Sequence, residues 1–353
     1  MQISKKLKYD EKLFKLFLDS YYSIQYKPSQ YWESYVDQII AVIKKDHLNQ
    51  FGSDYVLTKG FGDAIKYTPN KKLRKIFPIP FLYKFAEKKL ALHRYGKAKK
   101  IIFSKAKKFI TDEKLVNEIS DSLDSSTRNL GIERYVYVHN KMIPWRYIMF
   151  ILYYELLLKI LKNNNIKYDI KSLINGNFMD IGGGYGSVAD GIYILKAMLG
   201  TGKGTVNQVL DQFPVSFIAN QYLSYRYPNK IISPLLKSDD YKKNKPKDEG
   251  SFFQVIQSNV SNKLKNQNIT LYFNSNSFQE MDSTQVKNYV KMMKTNKAAL
   301  SFLACYLYDS NKNNNSPQKV VNILSSEFHL LGSEKYQNKE EGFVPGSLYL
   351  YKI

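Results

Sequence analysis

The feature that most constrains this chain is a run of glycines, Phe178-Met179-Asp180-Ile181-Gly182-Gly183-Gly184-Tyr185-Gly186. The residues before the first glycine read as a strand. Val188, Ile192, Leu195 and Leu199 follow the last one at helical spacing. A strand that breaks into glycines and then into a helix predicts a turn whose dihedrals exclude most side chains, or whose backbone must approach a ligand closely. In open α/β sheets, ligands sit outside the carboxyl ends of the strands, at the point where strand order reverses. A glycine cluster alone is weak evidence for such a site, so its neighbours decide what it can hold.

Asp180 lies in the last residues of the strand. A carboxylate there attracts the cationic amino group of an amino-acid moiety, directly or through water, and offers nothing to a pyrophosphate. Gly182, Gly184 and Gly186 give G-x-G-x-G. The dinucleotide fingerprint places its third glycine one residue later, where this chain has Ser187. Both features weigh against a nicotinamide cofactor. Asp211 ends a second predicted strand, over 205–210, one helix and one loop further on. An acidic residue at that place can accept hydrogen bonds from both ribose hydroxyls.

Further strands are expected at 252–256, 269–273, 298–308 and 347–353, with helices between them. Asp282 and Gln285 have the spacing of a capping box. Alternation of this kind predicts a mostly parallel sheet with helices on both faces. Before residue 165 the patterns are helical, and an apolar helix is expected from Pro144, as its first residue, to Leu161. Arg146, Glu155 and Lys159 interrupt that stretch, which favours a buried helix over a membrane span. The chain therefore divides into a helical substrate or cap region, 1–165, and a cofactor-binding domain, 166–353.

The formal net charge is +22. Nucleic acid, an anionic membrane surface and an acidic glycan are the partners such a charge can serve, and compositional bias towards Lys, Asn, Ile and Tyr accounts for it equally well. The basic residues concentrate between Lys71 and Lys108, a stretch suited to an anionic membrane surface or an acidic glycan. Cys305, the single cysteine, stands in an apolar run, reads as a small buried hydrophobe and fits a reducing compartment. The first ten residues lack the uninterrupted apolar stretch of a signal peptide. The expected location is the cytoplasm, with peripheral association at the inner membrane face as an option.

The chain resembles the bacterial sugar O-methyltransferases, a family within the Rossmann-like class I methyltransferases. Asp180-Ile181-Gly182-Gly183-Gly184-Tyr185-Gly186 is similar to that family's cofactor motif. Asp211-Gln212-Phe213-Pro214 resembles its D-x-P motif with one residue more. Asn276-Ser277-Phe278-Gln279-Glu280-Met281 resembles its signature after the fourth strand, and Tyr31-Trp32-Glu33 more loosely resembles an N-terminal element. The resemblance implies a seven-stranded sheet with a terminal antiparallel strand, S-adenosyl-L-methionine as cofactor, and a sugar hydroxyl as acceptor, in surface polysaccharide or glycan biosynthesis. The cofactor set it implies is Asp180, Gly182, Gly183, Gly184, Tyr185, Gly186, Asp211 and Gln212.

A sugar hydroxyl is a poor nucleophile at neutral pH, so a general base is expected. Glu280, just beyond the fourth strand, is the first candidate, and a carboxylate that merely favours a helix N-terminus is the alternative. His139 is the second candidate. Asn274 and Ser277 are placed to orient the acceptor. Asp239-Asp240 and the Glu280/Asp282 pair have no diagnostic metal spacing, and no metal is expected. A nucleic-acid methyltransferase using the basic N-terminal half is a rival reading, lowered by the absence of any Pro-Pro pair. A cofactor-binding scaffold without activity is another, and the intact turn and acids weigh against it.

Overall fold

The computed structural model describes residues 9–22, 36–37, 39–41, 43, 110–123, 135–236, 250–309, 315–336 and 345–353. The Lys71–Lys108 stretch, the Tyr31-Trp32-Glu33 element and the Asp239-Asp240 pair lie outside the described residues.

In chain order, α1 (Glu11–Tyr22) and α2 (Glu113–Ser122) precede a hairpin of β1 (Tyr135–Val138) and β2 (Lys141–Pro144). The long α3 (Trp145–Asn163) and short α4 (Ile170–Ile174) lead into β3 (Asn177–Ile181). Next come α5 (Ser187–Met198), β4 (Val206–Asp211), α6 (Val215–Arg226), β5 (Ile231–Leu235) and β6 (Phe252–Gln257). The last third comprises β7 (Ile269–Ser275), α7 (Ser277–Glu280), α8 (Ser283–Asn296), β8 (Lys297–Tyr308), α9 (Pro317–Ser325), β9 (His329–Tyr336) and β10 (Gly346–Lys352).

The main sheet has the order β5-β6-β4-β3-β7-β8-β10-β9. The pairs from β5 to β8 are parallel, and β10 runs antiparallel between β8 and β9. Strand order reverses at β3, with β4 on one side and β7 on the other. The antiparallel strand agrees with the resemblance, but the sheet has eight strands rather than seven. The extra one is β5, which contains Pro234 and pairs with β6 through a register shift. Proline cannot donate to a ladder, so it is tolerated in this edge strand. The other edge, β9, is half exposed and carries Glu334 and Lys335, charges that discourage pairing with another chain.

Side chains alternate between the two faces of the sheet, as the strand period of two demands. Phe178, Val209, Phe253, Val255 and Phe273 join one core, shared with α3, α5 and α6. Met179, Ile181, Leu210, Ile256, Tyr272 and Cys305 join the other, shared with α8 and α9. The first core also takes in Phe14, Phe17, Ile39, Ile110 and Val116, so the described helical segments before residue 165 pack into the same interior as the sheet.

The apolar helix begins at Trp145, one residue later than its pattern suggests, because Pro144 ends β2 and occupies the cap position. α3 is buried on nearly every side, as a helix apolar all round must be. Its Glu155 is buried but paired: Oε1 accepts from the backbone N–H groups of Thr111 and Asp112, both at 2.8 Å. No described helix is long and apolar enough to cross a membrane. The capping box forms, Gln285 N donating to Asp282 Oδ1 at 2.8 Å and Asp282 N donating to Gln285 Oε1 at 3.1 Å.

Candidate functional site

The glycine turn joins β3 to α5. Gly182 N donates to Leu210 O at 2.7 Å and Gly186 N to Gly183 O at 3.0 Å, backbone bonds that tie the turn to β4 and to itself. Gly182 has φ +69°, and a Cβ there would lie 2.1 Å from Ser277 Oγ and 2.4 Å from Ser277 Cβ. Ser277 Oγ donates to Gly182 O at 3.2 Å, which holds the start of α7 against the turn. A Cβ on Gly183 would lie 2.8 Å from Asp180 Oδ2. The turn therefore closes over the Asp180 carboxylate, and side chains are excluded for two separate steric reasons.

Asp180 is 1% exposed, and its Oδ2 has no hydrogen-bond partner. Burial, and then the nearby Asp211 charge, push its carboxyl well above the ordinary range, while the Arg146 guanidinium pulls it back. Asp211 is oriented by the turn itself: Gly184 N donates to Oδ2 at 2.8 Å, and Gln212 N donates to Oδ1 at 2.7 Å. Burial pushes Asp211 up to about 7 against those two bonds, with the Glu280 charge adding to the rise. Burial likewise pushes Glu280 up to about 7, and Arg146 opposes it. Asp180, Asp211 and Glu280 thus form one electrostatic group around the carboxyl ends of β3, β4 and β7.

Tyr185 is buried, its ring edge-on to Tyr222 at 5.0 Å. Behind it lies a buried polar cluster centred on Asp190 in the first turn of α5. Tyr147 OH and Tyr227 OH both donate to Asp190, the second at 2.6 Å. Arg226 Nε lies 2.6 Å from Asp190 Oδ2, and Tyr147 OH lies 2.5 Å from Tyr222 OH. Arg226 Nη1 also donates to Ser122 O at 3.3 Å. The helix that follows the turn is thereby fastened to α2, α3 and α6.

The acceptor-side candidates separate. Ser277 sits against the turn. Asn274 is fully buried, its Nδ2 donating to Ile181 O at 2.8 Å and its Oδ1 accepting from Phe278 N at 3.2 Å. Its amide braces the ends of β3 and β7 and the start of α7 instead of facing a ligand. His139 occupies the tight turn between β1 and β2 with φ +46°, its Nε2 2.9 Å from Ile110 O and its Nδ1 4.0 Å from Glu113 Oε2. Those contacts tie the hairpin to the start of α2.

Three contributors have no motif in the sequence. Arg146, in the first turn of α3, faces Asp180 and Glu280 electrostatically. Gln257 ends β6 in register with Asp211, is 1% exposed, and has no partner for either amide atom. The strand-end rule that selects Asp211 would have found it. α1 covers this side of the sheet edge: Phe14 meets Phe217 edge-on at 5.1 Å, Ser20 Oγ donates to Leu236 O at 2.9 Å, and Asn259 Nδ2 donates to Ser20 O at 3.0 Å. Asn259 Oδ1 and Asn276 Oδ1 are also buried without partners. Buried polar atoms are almost always satisfied, by ligand or by water, and Asp180, Gln257, Asn259 and Asn276 bring four residues with unpaired ones near the carboxyl ends of β3, β6 and β7.

Strand order and the antiparallel strand define a doubly wound, Rossmann-like α/β protein whose strand order reverses at β3, the place where such sheets bind ligands. No family model matches the chain, and no curated protein matches it. Among solved structures, it is similar to an S-adenosylmethionine-dependent methyltransferase from Methanosarcina mazei, at 11% identity and TM-score 0.34, over 52% of this chain and 97% of that one. It is similar to the Burkholderia thailandensis 1,6-didemethyltoxoflavin-N1-methyltransferase with bound S-adenosylhomocysteine, at 9% identity and TM-score 0.34, over 55% and 77%. A glycopeptide N-methyltransferase in complex with S-adenosylmethionine is similar at 10% identity and TM-score 0.34, over 55% and 85%. The class stated above rests on the strand order, not on these likenesses.

Proposed function

We propose that this chain is an S-adenosylmethionine-dependent O-methyltransferase acting on a sugar hydroxyl. The observation that carries the reading is Asp180 Oδ2, an unpartnered carboxyl oxygen buried beneath a turn that admits no side chain at Gly182 or Gly183. A buried carboxyl oxygen of this kind is costly to leave unpaired, and a cationic or hydrogen-bonding ligand completes it. The α-ammonium of the cofactor's amino-acid end fits that need. Asp211, aimed by Gly184 N and Gln212 N, fits the ribose hydroxyls, and the free amide of Gln257 in the next strand fits the heterocyclic end.

When bound, the cofactor supplies an already activated methyl group on a sulfonium. The chain's own residues then align the acceptor and exclude water. Glu280, buried at the carboxyl edge with its carboxyl near 7, is matched to taking a hydroxyl proton near neutral pH. The acceptor's O–H bond breaks as its new O–CH3 bond forms, and the proton passes to the Glu280 carboxylate. The sugar assignment is supported by the resemblance of Asn276 to Met281 to the sugar O-methyltransferase signature. Tyr153 OH, 2.6 Å from Ser275 Oγ, adds a polar pair at the same strand end.

The test is a transfer assay with labelled cofactor, run in parallel on extracted glycans and on RNA. Label should enter the glycans. Asp180→Ala should abolish labelling by removing cofactor binding, and Glu280→Gln should slow turnover while leaving cofactor affinity intact. Labelling of RNA alone would overturn the sugar reading, and unchanged turnover in Glu280→Gln would reject Glu280 as the base.

A further inference from the structure

Three buried amide atoms without a partner stand within three residues of one another at the carboxyl end of β6: Gln257 Nε2, Gln257 Oε1 and Asn259 Oδ1. Strand alternation places the first two. Phe178, Val209 and Val255 join the core shared with α6, while Ile181, Leu210 and Ile256 join the opposite one. Asp180, Asp211 and Gln257 each follow a member of the first set by two residues, so they leave β3, β4 and β6 on the same face. They span three adjacent strands, about 10 Å from first to last. α1 adds Phe14 and Phe17 to the core on that face.

Asn259 lies in a short 3-10 helix, Ser258–Lys263, that follows β6. Its amide has one allowed orientation. Nδ2 donates to Ser20 O at 3.0 Å and to Ser20 Oγ at 3.4 Å. The first is a carbonyl, and Ser20 Oγ spends its hydrogen on Leu236 O at 2.9 Å. Both therefore accept, so only the NH2 end of the amide fits against α1. That leaves Oδ1, in a residue 7% exposed, as a fixed and unpaired acceptor. Gln257, unpaired at both amide atoms, has no bond that sets which end is which.

We propose that Asn259 makes this site select a heterocycle bearing an exocyclic amino group, with α1 holding its carbonyl oxygen in place. The inference rests on the methyltransferase reading above and concerns the nucleoside end of the cofactor. An adenine edge offers the hydrogens of its amino group and a ring nitrogen that accepts. Asn259 Oδ1 and Gln257 Oε1 accept those hydrogens, and Gln257 Nε2 donates to the ring nitrogen. A hypoxanthine edge carries an oxygen in place of the amino group and an N–H on the adjacent ring atom. Gln257 meets that edge by turning its amide over. Asn259 cannot turn, because α1 holds its NH2, so its oxygen is set against another oxygen and both stay unpaired. Selectivity therefore comes from Asn259, whereas Gln257 adds affinity for either base.

The test needs no acceptor. S-adenosylhomocysteine and its deaminated counterpart, S-inosylhomocysteine, differ only at the exocyclic group and the neighbouring ring nitrogen. Binding of both to the full chain is measured by calorimetry for the unaltered protein, Asn259→Ala, Asn259→Asp and Gln257→Ala. The unaltered protein should prefer S-adenosylhomocysteine by about tenfold or more, the cost of leaving a buried acceptor unpaired. Asn259→Ala should shrink that ratio severalfold. Asn259→Asp, which keeps an acceptor oxygen but gives up the bonds to Ser20, should retain the ratio even as both affinities fall. Gln257→Ala should weaken both ligands about equally. Equal binding of the two ligands by the unaltered protein, a result that needs no variant, would overturn the role of Asn259. So would a ratio unchanged in Asn259→Ala, or one lost as fully in Asn259→Asp, which would mark Asn259 as a brace for α1. Failure of the unaltered protein to bind S-adenosylhomocysteine at all would instead overturn the cofactor reading beneath it.

Discussion

Gly182→Ala probes the turn through two terms that the structure separates. The first is conformational: at φ +69° an alanine adopts a left-handed backbone, which costs about 1–2 kcal/mol. The second is steric. The new Cβ would lie 2.1 Å from Ser277 Oγ and 2.4 Å from Ser277 Cβ, so α7 must shift, an overpacking cost of about 1–3 kcal/mol. The sum is about 2–5 kcal/mol, a large part of the stability of an ordinary domain. Ser277→Gly removes both offending atoms and leaves the Ser277 Cα at 3.9 Å, an ordinary contact. In that background, Gly182→Ala should cost only the conformational term. Urea unfolding of the four proteins yields the coupling energy, and titration with S-adenosylhomocysteine should show affinity recovering in parallel. If the two substitutions add to within about 0.5 kcal/mol, the steric reasoning is refuted. The turn would then yield to a side chain and would not be the rigid cradle inferred for the cofactor.

Arg226→Leu should destabilise the protein by about 3–5 kcal/mol, because it strands the fully buried Asp190 charge; adding Asp190→Asn should recover part of that loss in a denaturation series. Asp211 and Glu280 are raised in the folded state from 3.8 and 4.5 to about 7. The folded protein therefore holds more protons than the unfolded chain between those values, and their stabilising contribution declines as pH rises from about 4 towards about 7. Melting temperature without ligand should fall across that window, and Asp211→Asn should flatten the profile; a slope unchanged by the substitution would show that Asp211 does not titrate there.

Much of the site was legible in local pattern. Asp180 and Asp211 are readable because a strand end is the one place where a polar side chain can meet a ligand without breaking the core, and glycine spacing marks the turn between them. Asn274 and His139 show where the pattern misleads. Both are polar residues at element ends, as a ligand-facing residue would be; the Asn274 amide bonds backbone, and His139 meets the Ile110 carbonyl and the Glu113 carboxylate. Only the position of the partner carbonyl, 93 residues away for Asn274 and 29 for His139, distinguishes bracing from binding.

By itself, the sequence determined the alternation of strands and helices, the parallel character of the sheet, the glycine turn and its two acids. Each of these follows from short-range periodicity and from the dihedrals that glycine alone tolerates. Tertiary structure decided the rest. It added β5, β9 and the β1–β2 hairpin, which were not among the strands expected from pattern; Pro234 is tolerated in β5 because that strand lies at the sheet edge. It also aligned Gln257 with Asp211 across a strand pair and laid α1 over Phe217. Those meetings depend on contacts between residues distant in sequence, which no local pattern encodes.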